Sequence, residues 1–191
     1  MGYFSETELR GLGFKSLGRG VKISTRCAIY DAEKISIGHF SRVDDFCILS
    51  GNLSLGNYCH ITPQCLLAGG EPGIKIEDFC TLAYGVRAFA QSDDYTGASM
   101  TNSLIPKKFK KEIFGRVHIQ SQSIIGAGSC VLPGVTIAEG CAVGAMSLVI
   151  DNTEPWGIYF GIPVKRMRDR LQTARSLKME FLSESVSDDP L

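Results

Sequence analysis

The chain has 191 residues, of which 20 are Lys or Arg and 20 are Asp or Glu, so its formal net charge at pH 7 is zero. A neutral chain has no long-range field that would gather nucleic acid or an anionic membrane surface. No apolar run approaches the roughly 20 residues that a membrane-spanning helix needs, and the N-terminus lacks the regions of a secretory signal. These features predict one soluble domain in the cytoplasm.

The first predicted element is a short helix close to the N-terminus. Ser5 and Glu8 have the spacing of a capping box, and Gly11 or Gly13 would end the helix after Leu9. We expect residues 1–20 to form an N-terminal cap over one end of the fold.

An apolar residue recurs every six positions over residues 21–151. Three hexads make a coil of eighteen residues, and longer intervals fit once a small bulge at Gly69 to Gly73 and a 25-residue excursion, 94–118, are subtracted. A hexapeptide period is typical of a parallel β-helix, whose stacked coils share one continuous core. The repeat positions are Ile37, Val43, Leu49, Leu55, Ile61, Leu67, Ile76, Leu82, Ala88, Ile119, Ile125, Val131, Ile137, Val143 and Val149.

A small residue follows most of these repeat positions at a distance of four. Six of the seven cysteines obey this rule if Ile23 is counted as a repeat residue, and only Cys130 departs from it. An odd number of thiols without a paired CxxC spacing argues against a disulfide framework and against a zinc site. We therefore interpret the cysteines as small core residues.

The C-terminal part, residues 152–191, is predicted to be a segment followed by a helix. Pro163 is suited to the first turn of a helix that would run to about Leu182. The apolar stripe expected on this helix consists of Met167, Leu171, Leu177 and Phe181.

The excursion is where we expect functional side chains, because long aperiodic loops in compact folds are usually functional. It opens with the carboxylates Asp93 and Asp94 and with Tyr95, and it contains four lysines between positions 107 and 111. In the coil arithmetic Asp93 and His118 share one slot, so an Asp–His pairing is geometrically available.

The hexads and the excursion resemble the left-handed β-helix acyltransferases of the hexapeptide-repeat superfamily. Narrower motifs resemble the branch that acylates nucleotide-linked amino sugars for surface polysaccharides such as lipopolysaccharide. The resemblance implies left-handed coiling, a homotrimer with active sites between subunits, and acetyl-CoA or another acyl-CoA as donor, with no metal. It rests on Ile125–Ser129, Gly161–Lys165, Asp44–Cys47, Ser92–Gly97 and Pro155–Tyr159.

The chemistry of the loop favours an amine as the acceptor. A sugar hydroxyl needs a positioned base, usually histidine, whereas a neutral amine attacks a thioester directly. Many sugar O-acetyltransferases of this superfamily have a catalytic histidine near the loop, and this chain has Ser92-Asp93-Asp94-Tyr95 there. Sugar O-acetylation with a histidine base and a non-catalytic β-helix scaffold remain alternatives. A zinc enzyme would need three converging histidines, and His39, His60 and His118 occupy different slots.

The candidate site residues have three roles. For the donor, Ala127 and Ala145 fall in one corner row, where the family offers backbone contacts to the pantetheine arm, and Lys165 and Arg166 would meet the phosphates of coenzyme A. The catalytic candidates are Asp94, Asp93 and His118, and the substrate-binding candidates are Tyr84, Arg87, Tyr95 and His60. Local turn capping is the structural alternative for the loop carboxylates, and the pair Asp44 and Asp45 ranks behind them because corner turns favour aspartate.

Overall fold

Short parallel strands of two or three residues alternate with corner turns and build a β-solenoid of about seven turns. The computed structural model describes residues 2–187, with side chains through residue 184. The predicted fold class, a parallel β-helix with a long excursion and a C-terminal helix, is confirmed. The last four residues of the predicted C-terminal segment lie outside the described range.

Three sheets form the sides of the solenoid, and their strands are parallel except for the last strand of the second sheet. The first sheet consists of β1 (Ser16–Leu17), β4 (Ile35–Ile37), β7 (Leu53–Leu55), β10 (Ile74–Ile76), β15 (Val117–Ile119) and β18 (Thr136–Ile137). The second consists of β2 (Lys22–Ile23), β5 (Arg42–Val43), β8 (His60–Ile61), β11 (Thr81–Leu82), β16 (Ile124–Ile125), β19 (Ala142–Val143), β21 (Gly157–Gly161) and β22 (Val164–Asp169). The third consists of β3 (Ala28–Ile29), β6 (Ile48–Ser50), β9 (Leu66–Ala68), β12 (Arg87–Phe89), β17 (Cys130–Val131) and β20 (Leu148–Val149).

The repeat residues fill the interior of the solenoid. All fifteen predicted positions from Ile37 to Val149 are at most 3% exposed. Of the cysteines, Cys27 is half-buried, and Cys130 points outward beside buried Val131. Burial raises the pKa of the Cys27 thiol to about 12 and that of Cys59 to about 11. The thiols are therefore core residues, as the register predicts, and Cys130 is the outward exception.

The N-terminal helix α1 (Glu6–Gly11) begins with the predicted capping box. The Ser5 amide donates to the Glu8 carboxylate at 2.7 Å, and the Glu8 amide donates to the Ser5 hydroxyl at 3.3 Å. Leu9 is buried against the core, so α1 covers the first coils of the solenoid.

The excursion leaves the solenoid as a two-stranded hairpin. β13 (Gln91–Ser92) pairs antiparallel with β14 (Ile113–Phe114), and the chain re-enters the first sheet at Val117. The excursion therefore ends one or two residues before the end of the predicted range, 94–118. A 3₁₀ turn, Lys107–Phe109, lies within the loop.

The C-terminal prediction was wrong about where the helix begins. Residues 164–169 form β22, which pairs antiparallel with β21 around a turn that contains Pro163, because the last coil of the second sheet offers an edge that this segment can pair with. The helix α2 is Thr173–Ser187, so Met167 lies on a strand and Leu171 precedes the helix.

Helix α2 packs against a corner of the solenoid. The rings of Phe40, Tyr58 and Phe79 stack there with centroid separations of 5.2 and 5.0 Å, and Phe181 of α2 meets Tyr58 edge-on at 5.2 Å. Within residues 2–187, neither helix has the length and apolar character needed to cross a membrane.

Candidate active site

One corner of the solenoid, between the second and third sheets, carries a vertical row of aligned residues. Their backbones are joined by hydrogen bonds from one coil to the next, such as Gly128 N to Tyr84 O at 2.8 Å and Met146 N to Ala127 O at 2.8 Å. The structure thus places Ala127 and Ala145 in one row, as the spacing predicts, and adds Tyr84 on the coil below. This corner row consists of Asp45, Pro63, Tyr84, Ala127 and Ala145.

The corner row changes character along the solenoid. Tyr84 is 63% exposed, whereas the coils above it present only small side chains at Ala127 and Ala145. At Gly126, an added Cβ would lie 2.4 Å from the amide nitrogen of Ala145, so these coils approach too closely for a side chain there. The upper corner can therefore offer backbone groups to an extended ligand.

Asp94 is buried in the excursion by contacts within the loop. Its Oδ1 accepts hydrogen bonds from the Thr96 hydroxyl at 2.7 Å and the Thr96 amide at 2.9 Å, and its Oδ2 accepts one from Ser99 Oγ at 3.1 Å. These bonds, with the Thr96 hydroxyl foremost, hold the pKa of Asp94 below its usual range. Asp94 is therefore an ionised, oriented carboxylate that also caps a local turn.

Asp93 does not pair with His118. Its carboxylate lies 3.5 Å from Lys110 Nζ and accepts a hydrogen bond from the Asn102 amide at 3.2 Å. The Nε2 atom of His118 lies 2.8 Å from Oε1 of Glu77 on the outer face of the first sheet. The Asp–His pairing that the coil spacing makes available does not form, because the excursion turns outward through β13 and β14, which moves Asp93 away from the strand that carries His118.

Asp94 and Tyr84 lie beyond opposite ends of β12, so they belong to different corners of the chain. Arg87 points outward from β12 between Leu66 and Cys130 of the neighbouring coils. Tyr95 is 90% exposed at the start of the loop. One chain alone therefore does not gather all the predicted acceptor residues.

The predicted donor cations lie on β22. Arg166 Nη2 pairs with Asp169 at 2.7 Å, and Arg166 Nη1 lies 3.3 Å from both Glu154 Oε2 and the Tyr159 hydroxyl. Lys165 is exposed opposite Phe160. Of the two, Lys165 is the one whose charge is not already matched by a carboxylate among the described residues.

Sequence reasoning underrated a cluster around Asp44. This carboxylate is 3% exposed, and it accepts hydrogen bonds from Arg42 Nε at 2.6 Å, His60 Nε2 at 2.8 Å and the Tyr3 hydroxyl at 3.1 Å. Burial raises the pKa of Asp44, but the bonds from Arg42, His60 and Tyr3 outweigh burial and hold it below its usual range. Part of this cluster could have been predicted from the sequence. His60 follows Arg42 by eighteen residues, the length of one coil, so the two are neighbours on adjacent strands.

Asp45, the next residue, is also buried. Its carboxylate accepts a hydrogen bond from the Ser24 hydroxyl and lies 3.6 Å from Arg26 Nη1. Among residues 2–187, no three His, Cys, Asp or Glu side chains are grouped so that they could hold a metal ion.

Comparison with known proteins identifies the fold and the family. No protein-family model matches the chain. It is 34% identical over 192 residues to the dTDP-4-amino-4,6-dideoxy-D-glucose acyltransferase of Escherichia coli, which covers 99% of this chain and 100% of that protein.

Solved structures of AntD, an N-acyltransferase from Bacillus cereus, are closely similar. The complex of AntD with dTDP and 3-hydroxybutyryl-CoA superposes with a TM-score of 0.95 at 40% identity, covering 96% of this chain and 97% of that one. A serine-to-alanine variant of AntD in complex with dTDP-4-amino-4,6-dideoxyglucose and Coenzyme A gives 0.94 at 41% identity, with coverages of 95% and 98%.

The hexapeptide coils, the corner row and the excursion define an acyltransferase of the β-solenoid class. Within that class, the chain belongs to the family of the dTDP-4-amino-4,6-dideoxyglucose acyltransferases.

Proposed function

We propose that this protein transfers an acyl group from acyl-CoA to the amine of a dTDP-linked 4-amino-4,6-dideoxyglucose. The observation that carries the proposal is the corner row in a chain that matches its relatives along its whole length. The amine nitrogen forms the new C–N bond with the thioester carbon, the C–S bond breaks, and the coenzyme A thiolate leaves. The acceptor loses one ammonium proton before the attack and a second proton after it.

The donor lies along the upper corner in this proposal. The pantetheine arm contacts backbone groups beside Ala127 and Ala145, where side chains are short. Lys165 meets the phosphates of coenzyme A, while Arg166 contributes less because Asp169 and Glu154 already pair with it.

The acceptor amine meets the excursion. An ionised Asp94 can hold the ammonium form and assist its deprotonation, with Asp93 and Tyr95 beside it. A carboxylate of lowered pKa is a weak base toward an alcohol, so it suits an amine better than a hydroxyl. Tyr84, Arg87 and His60 approach the sugar nucleotide from the solenoid.

The assembly in this proposal is a homotrimer with active sites between subunits. The outward column of the third sheet is mainly apolar, with Arg87 as an interruption, whereas that of the first sheet is polar. An exposed apolar face of this kind is typical of a protein–protein interface. A second copy of the chain that packed on this face would bring its excursion towards the corner row. The two columns are Ala28, Ile48, Leu66, Arg87, Cys130 and Leu148 against Ser16, Ser36, Ser54, Lys75, His118 and Thr136.

In the cell, we place this reaction in the cytoplasm, in the supply of an acylated nucleotide sugar for a surface polysaccharide such as lipopolysaccharide. The experiment that tests the activity is thiol release from acetyl-CoA with a panel of dTDP sugars that carry either an amine or a hydroxyl at C4. We expect turnover with the amine acceptors. Turnover with the hydroxyl acceptors alone would contradict the proposal and favour O-acetylation.

A further inference from the structure

Three basic side chains form a column on the outer face of the second sheet. Lys22, Arg42 and His60 are direct neighbours in the parallel register of β2, β5 and β8. Adjacent strands lie about 4.8 Å apart, so the column spans roughly 10 Å. The column places a lysine, an arginine and a histidine side by side on the lower coils, below the small residues of the corner row.

The buried carboxylate of Asp44 fixes two of these side chains. It is hydrogen-bonded to the Nε atom of Arg42 and to the Nε2 atom of His60. The side chains of Arg42 and His60 remain 42% and 40% exposed. Within residues 2–187, neither the terminal nitrogens of Arg42 nor Nδ1 of His60 has a hydrogen-bond partner. Asp44 therefore holds a guanidinium fork and an imidazole with their unused nitrogens away from it.

A similar cluster on the first sheet shows what distinguishes this one. There Glu77 binds Lys75 at 3.1 Å and His118 at 2.8 Å, but its side chain is 31% exposed. Lysine has one charged nitrogen, and Glu77 already uses it. Arginine keeps two further nitrogens in a planar fork that matches phosphate oxygens.

Aromatic side chains flank the Asp44 cluster on the corner. Tyr84, a member of the corner row, is 63% exposed. Phe46, which follows the corner-row residue Asp45 in sequence, is 57% exposed. Tyr84 follows the strand β11, in which Thr81 pairs with His60, and its coil is hydrogen-bonded to the coil of His60 through Gly85 N and Pro63 O. Exposed rings beside a cationic fork suit a ligand with both a phosphate group and a flat or sugar ring.

We propose that Arg42 and His60, positioned by Asp44 and joined by Lys22, bind the diphosphate of the nucleotide-linked acceptor. The acceptor sugar then lies towards Tyr84, and the thioester approaches from the coils of Ala127 and Ala145. The identity of the nucleotide rests on the proposed function, whereas the diphosphate rests on the geometry of the cluster.

The test is calorimetric binding of dTDP, UDP, GDP, thymidine and coenzyme A to the full-length protein. For the diphosphate that binds the wild type best, Arg42→Gln weakens affinity by about 10-fold to 100-fold, as the loss of charge-assisted bonds requires. His60→Gln weakens it less, and coenzyme A affinity stays unchanged in both variants. Lys75→Gln, in the first-sheet cluster, is the matched control and binds the diphosphate as the wild type does.

The outcomes separate this inference from the proposed function. A wild type that prefers UDP or GDP, with the Arg42→Gln loss intact, would support the diphosphate site and contradict the dTDP assignment. Wild-type affinity in both Arg42→Gln and His60→Gln would overturn the inference, and so would a wild type that binds none of the three diphosphates. Thymidine affinity that falls as much as dTDP affinity would also overturn it, because the loss would then not belong to the phosphates.

Discussion

The imidazole of His118 and the carboxylate of Glu77 are joined at 2.8 Å on the outer face of the first sheet. Lys75 shares the same carboxylate at 3.1 Å, so His118 belongs to a cross-strand ion-pair cluster. Surface pairs of this kind contribute little to stability. The histidine nearest to the excursion in sequence therefore has a structural partner, which leaves the excursion carboxylates as the candidates that act on the amine.

Replacement of Asp94 by asparagine keeps the shape of the side chain and removes its charge. Turnover of the Asp94→Asn variant should fall about 100-fold or more, the effect typical of a positioned acid or base. His118→Asn should change turnover little. Both are measured by steady-state thiol release. An inactive His118→Asn beside a nearly normal Asp94→Asn would instead indicate a histidine base.

A large side chain at the upper corner should block the donor. Ala145 is exposed, so Ala145→Phe leaves the core untouched and places a ring where the pantetheine arm is proposed to lie. We expect coenzyme A affinity to fall at least about 10-fold, while dTDP affinity and the circular dichroism spectrum stay unchanged. Unchanged affinity for coenzyme A would remove Ala145 from the donor site.

The Asp44 cluster should make stability depend on pH. Because the pKa of Asp44 is lowered in the folded protein, its ionised form stabilises the fold above the unfolded pKa of about 3.9. That contribution is lost as the pH falls through the lower folded value. Asp44→Asn should thus cost about 1–3 kcal/mol at pH 7 and progressively less below about pH 4.

Urea unfolding at a fixed protein concentration measures the free energy of unfolding of wild type and Asp44→Asn at pH 7 and at a pH below about 4. Asp151→Asn, at an exposed corner, serves as the control and should cost less than about 0.5 kcal/mol. A cost for Asp44→Asn that is the same at both pH values would show that the charge of Asp44 is not what stabilises the fold.

Assembly should depend on the apolar column of the third sheet. Leu66→Glu places a charge in the middle of that face and should yield monomers, with loss of activity because the active sites are proposed to lie between subunits. Ser54→Glu, on the polar first sheet, is the matched control and should remain assembled. Light scattering gives the molar mass of each, and a wild type that is a stable monomer would contradict the trimer.

The fold was largely predictable because one periodic constraint governs it. Each coil must supply inward residues at fixed spacing, so the register of Ile37 or Val143 and the alignment of Ala127 with Ala145 follow from counting. The β21–β22 hairpin was not predictable in this way, since Pro163 suits a turn as well as a helix start and the choice depends on an unpaired sheet edge. The Asp44 cluster was predictable only in part. The proximity of Arg42 and His60 follows from their spacing of one coil, whereas Tyr3 contacts Asp44 from a segment outside the repeat.

The most direct test of the proposed activity is the bond formed in the product. The protein is incubated with acetyl-CoA and dTDP-4-amino-4,6-dideoxyglucose, and the isolated sugar nucleotide is treated briefly with alkaline hydroxylamine, which cleaves oxygen esters and leaves amides. We predict an acetylated sugar nucleotide that resists hydroxylamine and forms in step with the released thiol. An acetyl group that hydroxylamine removes, or no transfer to this sugar, would contradict the assignment of the protein as an N-acyltransferase of dTDP-linked amino sugars.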